Sequence, residues 1–380
     1  MRIILLIFVL SQSLFLFGQQ MRIGLLTDYK VKRVAIKSEH GSYDIFGDTS
    51  IVSSLNLGRI LELSVSDSKV MIHVGGLDTF SVSKVMLIPI KTNSSLILSP
   101  KQPALKKRSY EDALEVFVSK GVLQFVNVVD MKNYISGVVE SEGGGGRHIE
   151  YYKVQALMSR TYALKNKRRH IKDGFELCDR VHCQAYHNKL KHTLKIRQAV
   201  EETSDEVIIN FNDELVTTYF SANCGGQTCD ASYVWNNSVP YLSSFKDTFC
   251  IYTRQANWTK RVSKTIWSSF LNKKYGVVEA MYGKLIYDFD QEDRKAFYIH
   301  PSLGVPLREL RTEFKLKSTY FSTRIEGDDV ILIGRGFGHG VGLCQEGAMK
   351  MADLGFSYKQ IALYYFNKIK IVDYSKSKFF

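Results

Sequence analysis

Residues 114–126 read LEVFVSKGVLQFV, and together with the segment that follows they decide the fold class. Two runs rich in β-branched and aromatic residues, 114–118 and 122–126, flank Ser119-Lys120-Gly121, which predicts a β-hairpin. Residues 150–167 read EYYKVQALMSRTYALKNK, where apolar side chains recur at helical spacing and predict an amphipathic helix. Because strands and helices follow one another without regular βαβ units, we expect an α+β fold.

The chain before this hairpin is expected to be rich in β-strands, and the chain after it to interleave strands and helices. The sequence predicts strands at 22–26 and 70–74, a loop at 99–108, helices at 195–202, 262–273, 346–354 and 357–365, and strands at 207–211 and 215–221. Ser357 is the expected N-cap of the last helix. The predicted organisation is a signal peptide at 1–19, a β-rich region at 20–113 and a mixed core at 114–380, which forms a cleft.

The first twenty residues predict export. Arg2 precedes an apolar stretch at 3–17, and Gly18 offers a small residue for cleavage near Gly18 or Gln19. The stretch is short for a spanning helix, and no cysteine follows it as a lipid anchor would require. An uncleaved anchor is the alternative. After cleavage we expect no stable membrane span and a periplasmic or extracellular protein.

The composition indicates a globular protein that attracts polyanions. With 45% hydrophobic and 23% charged residues, the 380-residue chain is neither disordered nor a multi-span membrane protein. Its 51 Lys and Arg against 38 Asp and Glu give a net charge of +13. Export makes an anionic cell-wall polymer the expected partner, and no nucleic acid is expected.

A first candidate for catalysis is the pair Glu140 and Glu142, which precedes four consecutive glycines at 143–146. In an extended segment the two carboxylates would lie on one face, beside a loop that a bulky substrate can approach. Two solvated glutamates before a flexible loop are the alternative.

A second candidate is the glycine-rich segment 334–342, which reads GRGFGHGVG and presents His339. It lacks the lysine ending of a phosphate-binding loop and the βαβ context of a dinucleotide site, so a nucleotide site is not expected. A structural turn around a buried histidine is the alternative. Residues 218–228, where polar groups meet Gly225 and Gly226, line either a cleft or an ordinary strand end.

The cysteines offer two readings. His170, Cys178, His182 and Cys183 supply equal numbers of thiolate and imidazole ligands and suit a structural zinc site. A Cys178–Cys183 disulfide is the alternative in an oxidising compartment. The pairing of Cys224, Cys229, Cys250 and Cys344 stays open, and no organic cofactor is expected.

In this order, the segments resemble the stage II sporulation protein D / LytB amidase-enhancer family (SpoIID/LytB). The resemblance rests on residues 134–142 (YISGVVESE), 150–163 (EYYKVQALMSRTYA), 183–186, 221–226, Trp235 with 240–242, and 336–348. It covers about residues 22–371 and is strongest after Asn133.

The resemblance implies a lytic transglycosylase that cleaves peptidoglycan glycan strands, preferably stripped of stem peptides, to 1,6-anhydromuramic ends. The family's catalytic acid corresponds to Glu142, and zinc-containing members carry a His/Cys cluster at the position of 170–183. The residues that fall in motif blocks and are expected to line the glycan groove are Arg160, Tyr219, Ser221, His339 and Gln345.

The resemblance also implies an alternative, a non-catalytic module that binds glycan and activates a partner cell-wall amidase.

Two departures from the family's pattern affect the candidate site. Gly143-Gly144 stands where the family commonly has Met-Pro, and Cys224 and Cys344 replace residues that are usually small or polar. A sporulation role is not carried over.

Overall fold

The hairpin predicted from residues 114–126 is present in the computed structural model, which describes residues 19–75 and 79–376. Ala113–Ser119 pairs antiparallel with Val122–Asp130, with Ser119 opposite Val122. The turn therefore has two residues, Lys120 and Gly121, whose positive φ angles of 51° and 74° suit a two-residue hairpin turn. The apolar stretch of the predicted signal peptide lies outside the described residues.

The chain folds as two compact units, each built from two separate segments. The first comprises Met1–Ser141 and Lys167–Lys191, and the second Glu142–Asn166 and His192–Phe380, as far as these segments are described. The boundary predicted at residue 113 does not separate these two units. The hairpin that follows residue 113 belongs to a sheet of the first unit.

The first unit is mainly β-structure. Its strands are β1 (Gln20–Leu25), β2 (Arg33–His40), β3 (Tyr43–Gly47), β4 (Ser50–Leu55), β5 (Ile60–Ser66), β6 (Lys69–Val74), β7 (Phe80–Val82), β8 (Lys84–Pro89), β9 (Ser95–Gln102), β10 (Arg108–Glu111), β11 (Ala113–Ser119), β12 (Val122–Asp130) and β13 (Leu177–Cys178). Helix α1 (Met131–Gly143) follows β12 directly and ends just inside the second unit.

Two sheets organise these strands. One has the order β13-β1-β12-β11-β8-β3-β4, and the other the order β10-β9-β2-β5-β6-β7. Alternate residues are buried, as in β6, where Val70, Ile72 and Val74 are fully buried. This period of two is what a sheet with one apolar face requires, and it confirms the strands predicted at 22–26 and 70–74.

The loop predicted at 99–108 is only half correct. Residues up to Gln102 belong to β9, which pairs with β2. Pro100 lies beyond the part of β9 that pairs with β10, and only residues 103–107 connect the two strands. The prolines were a misleading signal, because strand pairing on one side tolerates them.

The second unit mixes helices with short strands. Its elements are α2 (Ile149–Asn166), α3 (Leu194–Glu202), β14 (Glu206–Asn210), β15 (Phe220–Ser221), α4 (Ser232–Trp235), β16 (Asn257–Ser263), α5 (Lys264–Tyr275), α6 (Glu279–Tyr282), α7 (Leu307–Glu313), β17 (Phe321–Glu326), β18 (Asp329–Arg335), β19 (Leu343–Cys344), α8 (Gln345–Asp353), α9 (Tyr358–Tyr365) and β20 (Ile369–Asp373). With the first unit's sheets, these elements confirm the α+β class.

Helix α2 forms where the sequence predicts it, but it is not amphipathic. Its residues from Tyr151 to Leu164 are buried, Lys153 excepted. Within the second unit it packs against α3, α8, α9 and β14. Such a helix is buried on nearly all sides, so the periodic stripe marks only part of its apolar surface.

Local signals fix the ends of several other elements. Ser357 caps α9, since its hydroxyl accepts from the Gln360 backbone while the Gln360 side chain accepts from the Ser357 backbone. The helix predicted at 262–273 begins only at Lys264, because the preceding residues form β16 in the sheet β16-β18-β17. The strand predicted at 215–221 is reduced to a bridge at Leu215 and the two residues of β15.

Within residues 19–75 and 79–376, none of the helices combines the length and the apolar character needed to cross a membrane.

Candidate functional site

Glu142 lies at the C-terminal end of a helix, not in the extended segment that the sequence analysis considered. Because α1 turns by about 100° per residue, Glu140 and Glu142 point in directions about 160° apart, so they do not share a face. Glu140 accepts a hydrogen bond from the Lys191 backbone at 2.8 Å within the first unit. Glu142 belongs to the second unit and is half-buried. The two carboxylates therefore have separate surroundings.

The surroundings of Glu142 come from α2 and α8. Gly143 follows it, and a Cβ at Gly143 would lie 3.2 Å from the Tyr151 ring, so this turn is packed closely on α2. Burial, with a contribution from the nearby Glu142 carboxylate, raises the pKa of Tyr151. The Gln345 side chain donates from Nε2 to the Glu142 carbonyl oxygen at 3.3 Å. Glu142 is thus held against a buried tyrosine and an amide from the start of α8.

The short parallel pair β15–β19 brings other predicted residues to the same place. Phe220 pairs with Leu343 and Ser221 with Cys344, and the Leu343 backbone donates to the Tyr219 carbonyl at 3.0 Å. Gln345 follows β19 directly, so residues 343–345 contact both the Tyr219 segment and the Glu142 backbone. The Ser221 hydroxyl is buried and has no hydrogen-bond partner within the described part of the chain. Such a group is available to a ligand or a water.

An aromatic cluster lies next to this strand pair. The Tyr219 ring stacks on Trp235, with centroids 4.2 Å apart and an interplanar angle of 24°. His339 meets Trp235 at 5.3 Å and Tyr219 at 6.2 Å. Trp235 is 41% exposed. An exposed indole backed by a second ring is a platform for a flat amphipathic ligand face.

Trp235 was noted in the sequence only as part of a matching block and not as a site residue. Its position on the short helix α4, between two segments of polar residues, gives no periodic signal. The structure adds it to the site because it stacks on Tyr219.

His339 is a neutral group near pH 7. Burial lowers its pKa to about 4, and the guanidinium groups of Arg311 and Arg294 add to this shift. Its Nδ1 accepts a hydrogen bond from the Val341 backbone at 3.0 Å, so the proton of the neutral ring is on Nε2. His339 therefore suits a positioning and packing role more than that of a proton donor.

The glycines of segment 334–342 allow two backbone segments to approach closely. A Cβ at Gly336, where φ is +75°, would lie 2.6 Å from the Asn223 carbonyl oxygen. A Cβ at Gly342, where φ is +72°, would lie 2.2 Å from the Tyr219 carbonyl oxygen. The glycines are thus needed for packing against residues 219–225.

Arg160 does not lie at this surface. It is 1% exposed, and its guanidinium donates to the carbonyl oxygens of Glu206 and Val200, both at 3.2 Å. Desolvation lowers its pKa to about 10. Because its donors link α3 to β14 inside the second unit, Arg160 is a structural residue and not part of the candidate site.

The structure brings together the four residues predicted to bind metal. The ligand atoms of His170, Cys178, His182 and Cys183 lie within 4.8 Å of one another in the first unit. His182 Nδ1 is 3.7 Å from the sulfur of Cys178 and 3.7 Å from that of Cys183. Both cysteines are free thiols.

The hydrogen bonds at this cluster also fit a metal. His170 Nδ1 is 3.1 Å from an Asp173 carboxylate oxygen, while its Nε2 is buried without a hydrogen-bond partner in the described residues. A metal-binding histidine typically has this arrangement, with one ring nitrogen on a carboxylate and the other free for the ion. Hydrogen bonding from Cys183, and donors from Arg180 and His182, lower the pKa of Cys178. The donor set fits a closed tetrahedral site.

The other cysteines are buried free thiols. Cys224, Cys250 and Cys344 converge on Asp247 in the second unit, whereas Cys229 lies outside this group. Disulfide pairing among these cysteines was left open from the sequence, and the nearby carboxylate was not predicted.

Comparison with known proteins identifies relatives. Residues 119–210 match the family model described as stage II sporulation protein (SpoIID). An uncharacterized protein of Brachyspira hyodysenteriae is 28% identical over 96% of both chains. The amidase enhancer of Bacillus subtilis is 26% identical over 63% of this chain, which spans 40% of that protein's length. The stage II sporulation protein D of Bacillus subtilis is 28% identical over 65% of this chain and 76% of its own.

The matched region contains Glu142 and all four residues of the His/Cys cluster, while the aromatic cluster follows it in the chain. The resemblance that the sequence motifs suggested is thereby confirmed, because a SpoIID family model matches part of the chain and both a stage II sporulation protein D and an amidase enhancer are similar to about two thirds of it.

Proposed function

We propose that the protein is a peptidoglycan lytic transglycosylase in which Glu142 is the general acid. The observation that carries this proposal is that residues 343–345 contact both the backbone of half-buried Glu142 and the segment of Tyr219, which stacks on exposed Trp235. The carboxyl group supplies the proton that glycan cleavage requires, and the aromatic platform supplies a face on which a sugar ring can bind.

In the proposed reaction Glu142 donates its proton to the glycosidic oxygen between muramic acid and glucosamine. As that bond breaks, the muramic C6 hydroxyl attacks C1 and closes a 1,6-anhydro ring. The Glu142 carboxylate then accepts the proton that the hydroxyl releases, so the enzyme is restored and no water is consumed. A second carboxylate is not needed, because the nucleophile belongs to the sugar.

The other groups of the site would position the glycan. The Tyr219–Trp235 pair offers a face for a sugar ring, and the Ser221 hydroxyl, which has no hydrogen-bond partner among the described residues, offers a hydrogen bond. Gln345 anchors the backbone that carries the acid. His339 packs beside both rings and keeps them in place.

The cluster of His170, Cys178, His182 and Cys183 would hold a structural zinc ion. All four ligands are protein side chains, so the site leaves no position for a reactive water. The ion would fix the segment 170–183 within the first unit and would take no part in catalysis.

The match to an amidase enhancer supports a second candidate function. In that case the same surface binds glycan strands without cleaving them and the protein stimulates a partner cell-wall amidase. An exported, cell-wall-associated location is common to both proposals, and the charge of +13 suits an anionic wall.

Digestion of glycan strands stripped of stem peptides separates the two functions. We expect the purified protein to release products ending in 1,6-anhydromuramic acid, and Glu142→Gln to lose this activity by at least about a thousandfold. Glu140→Gln is the matched control, since it alters a carboxyl group two residues away that belongs to the first unit. Strand binding without cleavage by the unaltered protein would favour the amidase-activating module.

A further inference from the structure

A second cluster of metal-ligating side chains lies inside the second unit. Its members are Cys224, just after β15, Asp247 and Cys250, in the connection before β16, and Cys344, in β19. All four are at most 1% exposed. Their ligand atoms lie within 4.8 Å of one another. Three separate segments of the chain therefore converge on one buried point.

The distances match the size of a tetrahedral thiolate site. Cys224 Sγ lies 3.4 Å from Cys250 Sγ and 3.2 Å from Asp247 Oδ2. Zinc–sulfur bonds of about 2.3 Å place two sulfurs of a tetrahedron about 3.8 Å apart. The four ligand atoms thus need only small shifts to surround an ion.

Among the residues that the structure describes, the carboxylate of Asp247 has no positively charged partner. Its Oδ2 accepts from the Tyr365 hydroxyl at 2.9 Å, and its Oδ1 accepts from the Phe249 backbone at 3.0 Å. No cationic side chain pairs with it within the described part of the chain. A fully buried carboxylate without a cation is costly, and a bound metal ion would neutralise it.

The groups around the cluster are also those of a metal site. Cys344 Sγ accepts backbone N–H bonds from Cys224 at 3.2 Å and Gly347 at 3.4 Å, which stabilise a thiolate. The Tyr365 hydroxyl orients the carboxylate from outside. A Cβ at Gly347 would lie 2.1 Å from that hydroxyl and 2.9 Å from Asp247 Oδ2, so the first turn of α8 leaves this space free.

A disulfide accounts for the cluster less completely. It would use two of the three thiols and leave the third buried beside an uncompensated carboxylate. A metal ion uses all four groups at once.

We infer that Cys224, Asp247, Cys250 and Cys344 form a second, closed metal site for a thiophilic divalent cation such as zinc. The ion would join the turn after β15, the 247–250 connection and the β19–α8 junction. The first of these segments directly follows Ser221 and the last contains Gln345, so a bound ion would hold together the backbone on both sides of these two residues. The inference does not depend on the proposed transglycosylase activity.

Metal content measured on the purified protein tests this inference. With zinc as the probe, we expect two bound ions per chain by elemental analysis. Replacing Cys178 and Cys183 with serine should remove one, and Cys344→Ser should remove the other. Cys229→Ser is the matched control, because Cys229 is a buried thiol outside both clusters, and it should keep both ions.

A measurement on the unaltered protein keeps the test decisive if Cys344→Ser fails to fold. Zinc should protect Cys224, Cys250 and Cys344 from alkylation, and a chelator should expose all three. A single ion per chain that is lost with Cys178 and Cys183 would overturn the inference. So would a Cys224–Cys250 disulfide found by mass spectrometry in protein that has never been exposed to chelator.

Discussion

At the scale of single residues, the proposed chemistry depends on the carboxyl group of Glu142 and on an aromatic platform, which residues 343–345 connect through the Glu142 backbone and the Tyr219 segment. Glu142 is fixed through its backbone, whereas the platform is fixed through ring stacking between Tyr219 and Trp235. The two can therefore be altered separately, and each substitution should affect a different step.

Replacing Trp235 with alanine should weaken glycan binding by about tenfold, roughly 1.4 kcal/mol, because the exposed stacking face is lost. Affinity is measured in the Glu142→Gln background, so that strands are not cleaved during the titration. Tyr252→Ala is the matched control, since Tyr252 is 95% exposed and takes no part in the aromatic cluster. Equal glycan affinities for the Trp235→Ala and Tyr252→Ala variants would show that the Tyr219–Trp235 pair does not bind the glycan.

His339 should make the fold sensitive to acid. Its pKa is lowered to about 4 in the folded protein from an ordinary 6.5, so the unfolded chain binds more protons between these values. Stability should consequently fall as the pH drops from 6.5 to 4, by up to about 3 kcal/mol, and this contribution should be constant above pH 6.5.

The measurement is urea unfolding at several pH values, comparing the unaltered protein with His339→Gln. The variant should lack this part of the acid sensitivity, and the exposed His300 replaced by glutamine should retain it. If the free energy of unfolding depended on pH in the same way for the unaltered protein and for His339→Gln, His339 would not be the source of the acid sensitivity.

At the scale of elements, the close approach of segments 219–225 and 334–342 determines the geometry of the site. The pair β15–β19 has only two residues in each strand, so backbone packing through glycine must supplement its hydrogen bonds. A side chain inserted here should separate Tyr219 from strand β19, which Gln345 follows directly.

Gly342→Ala should therefore destabilise the protein by more than about 3 kcal/mol, since it combines a positive φ with a Cβ 2.2 Å from the Tyr219 carbonyl oxygen. Gly276→Ala provides the matched comparison. It has a similar φ of +66° but open space around it, and it should cost about 1 kcal/mol. Denaturant midpoints measure both, and similar losses would show that the close approach has no energetic importance.

At the scale of the whole molecule, the elements that could be predicted from the sequence are those determined by residues close together in the chain. The hairpin at 114–126, helix α2 and the capped helix α9 each depend on neighbouring residues, and each was predicted. The His/Cys cluster was recognisable because its four ligands fall within fourteen residues. The division into two units was not predicted, because each unit is built from two separate segments.

The second cluster was not recognised for the same reason. Its ligands extend from Cys224 to Cys344, and only folding brings Asp247 between the cysteines. Trp235 likewise acquires its role by stacking on Tyr219. The helical form of α1 contradicted the expected pairing of Glu140 and Glu142, because the glycines that follow end a helix and not a strand.

Product analysis in ¹⁸O-labelled water tests whether the protein cleaves glycan strands through Glu142 without using water. We predict 1,6-anhydromuramic ends that carry no label, absent with Glu142→Gln and retained with Glu140→Gln. Labelled reducing ends would show hydrolysis, which needs a second catalytic group and would contradict the proposed mechanism. The same products from Glu142→Gln would show that another residue is the acid.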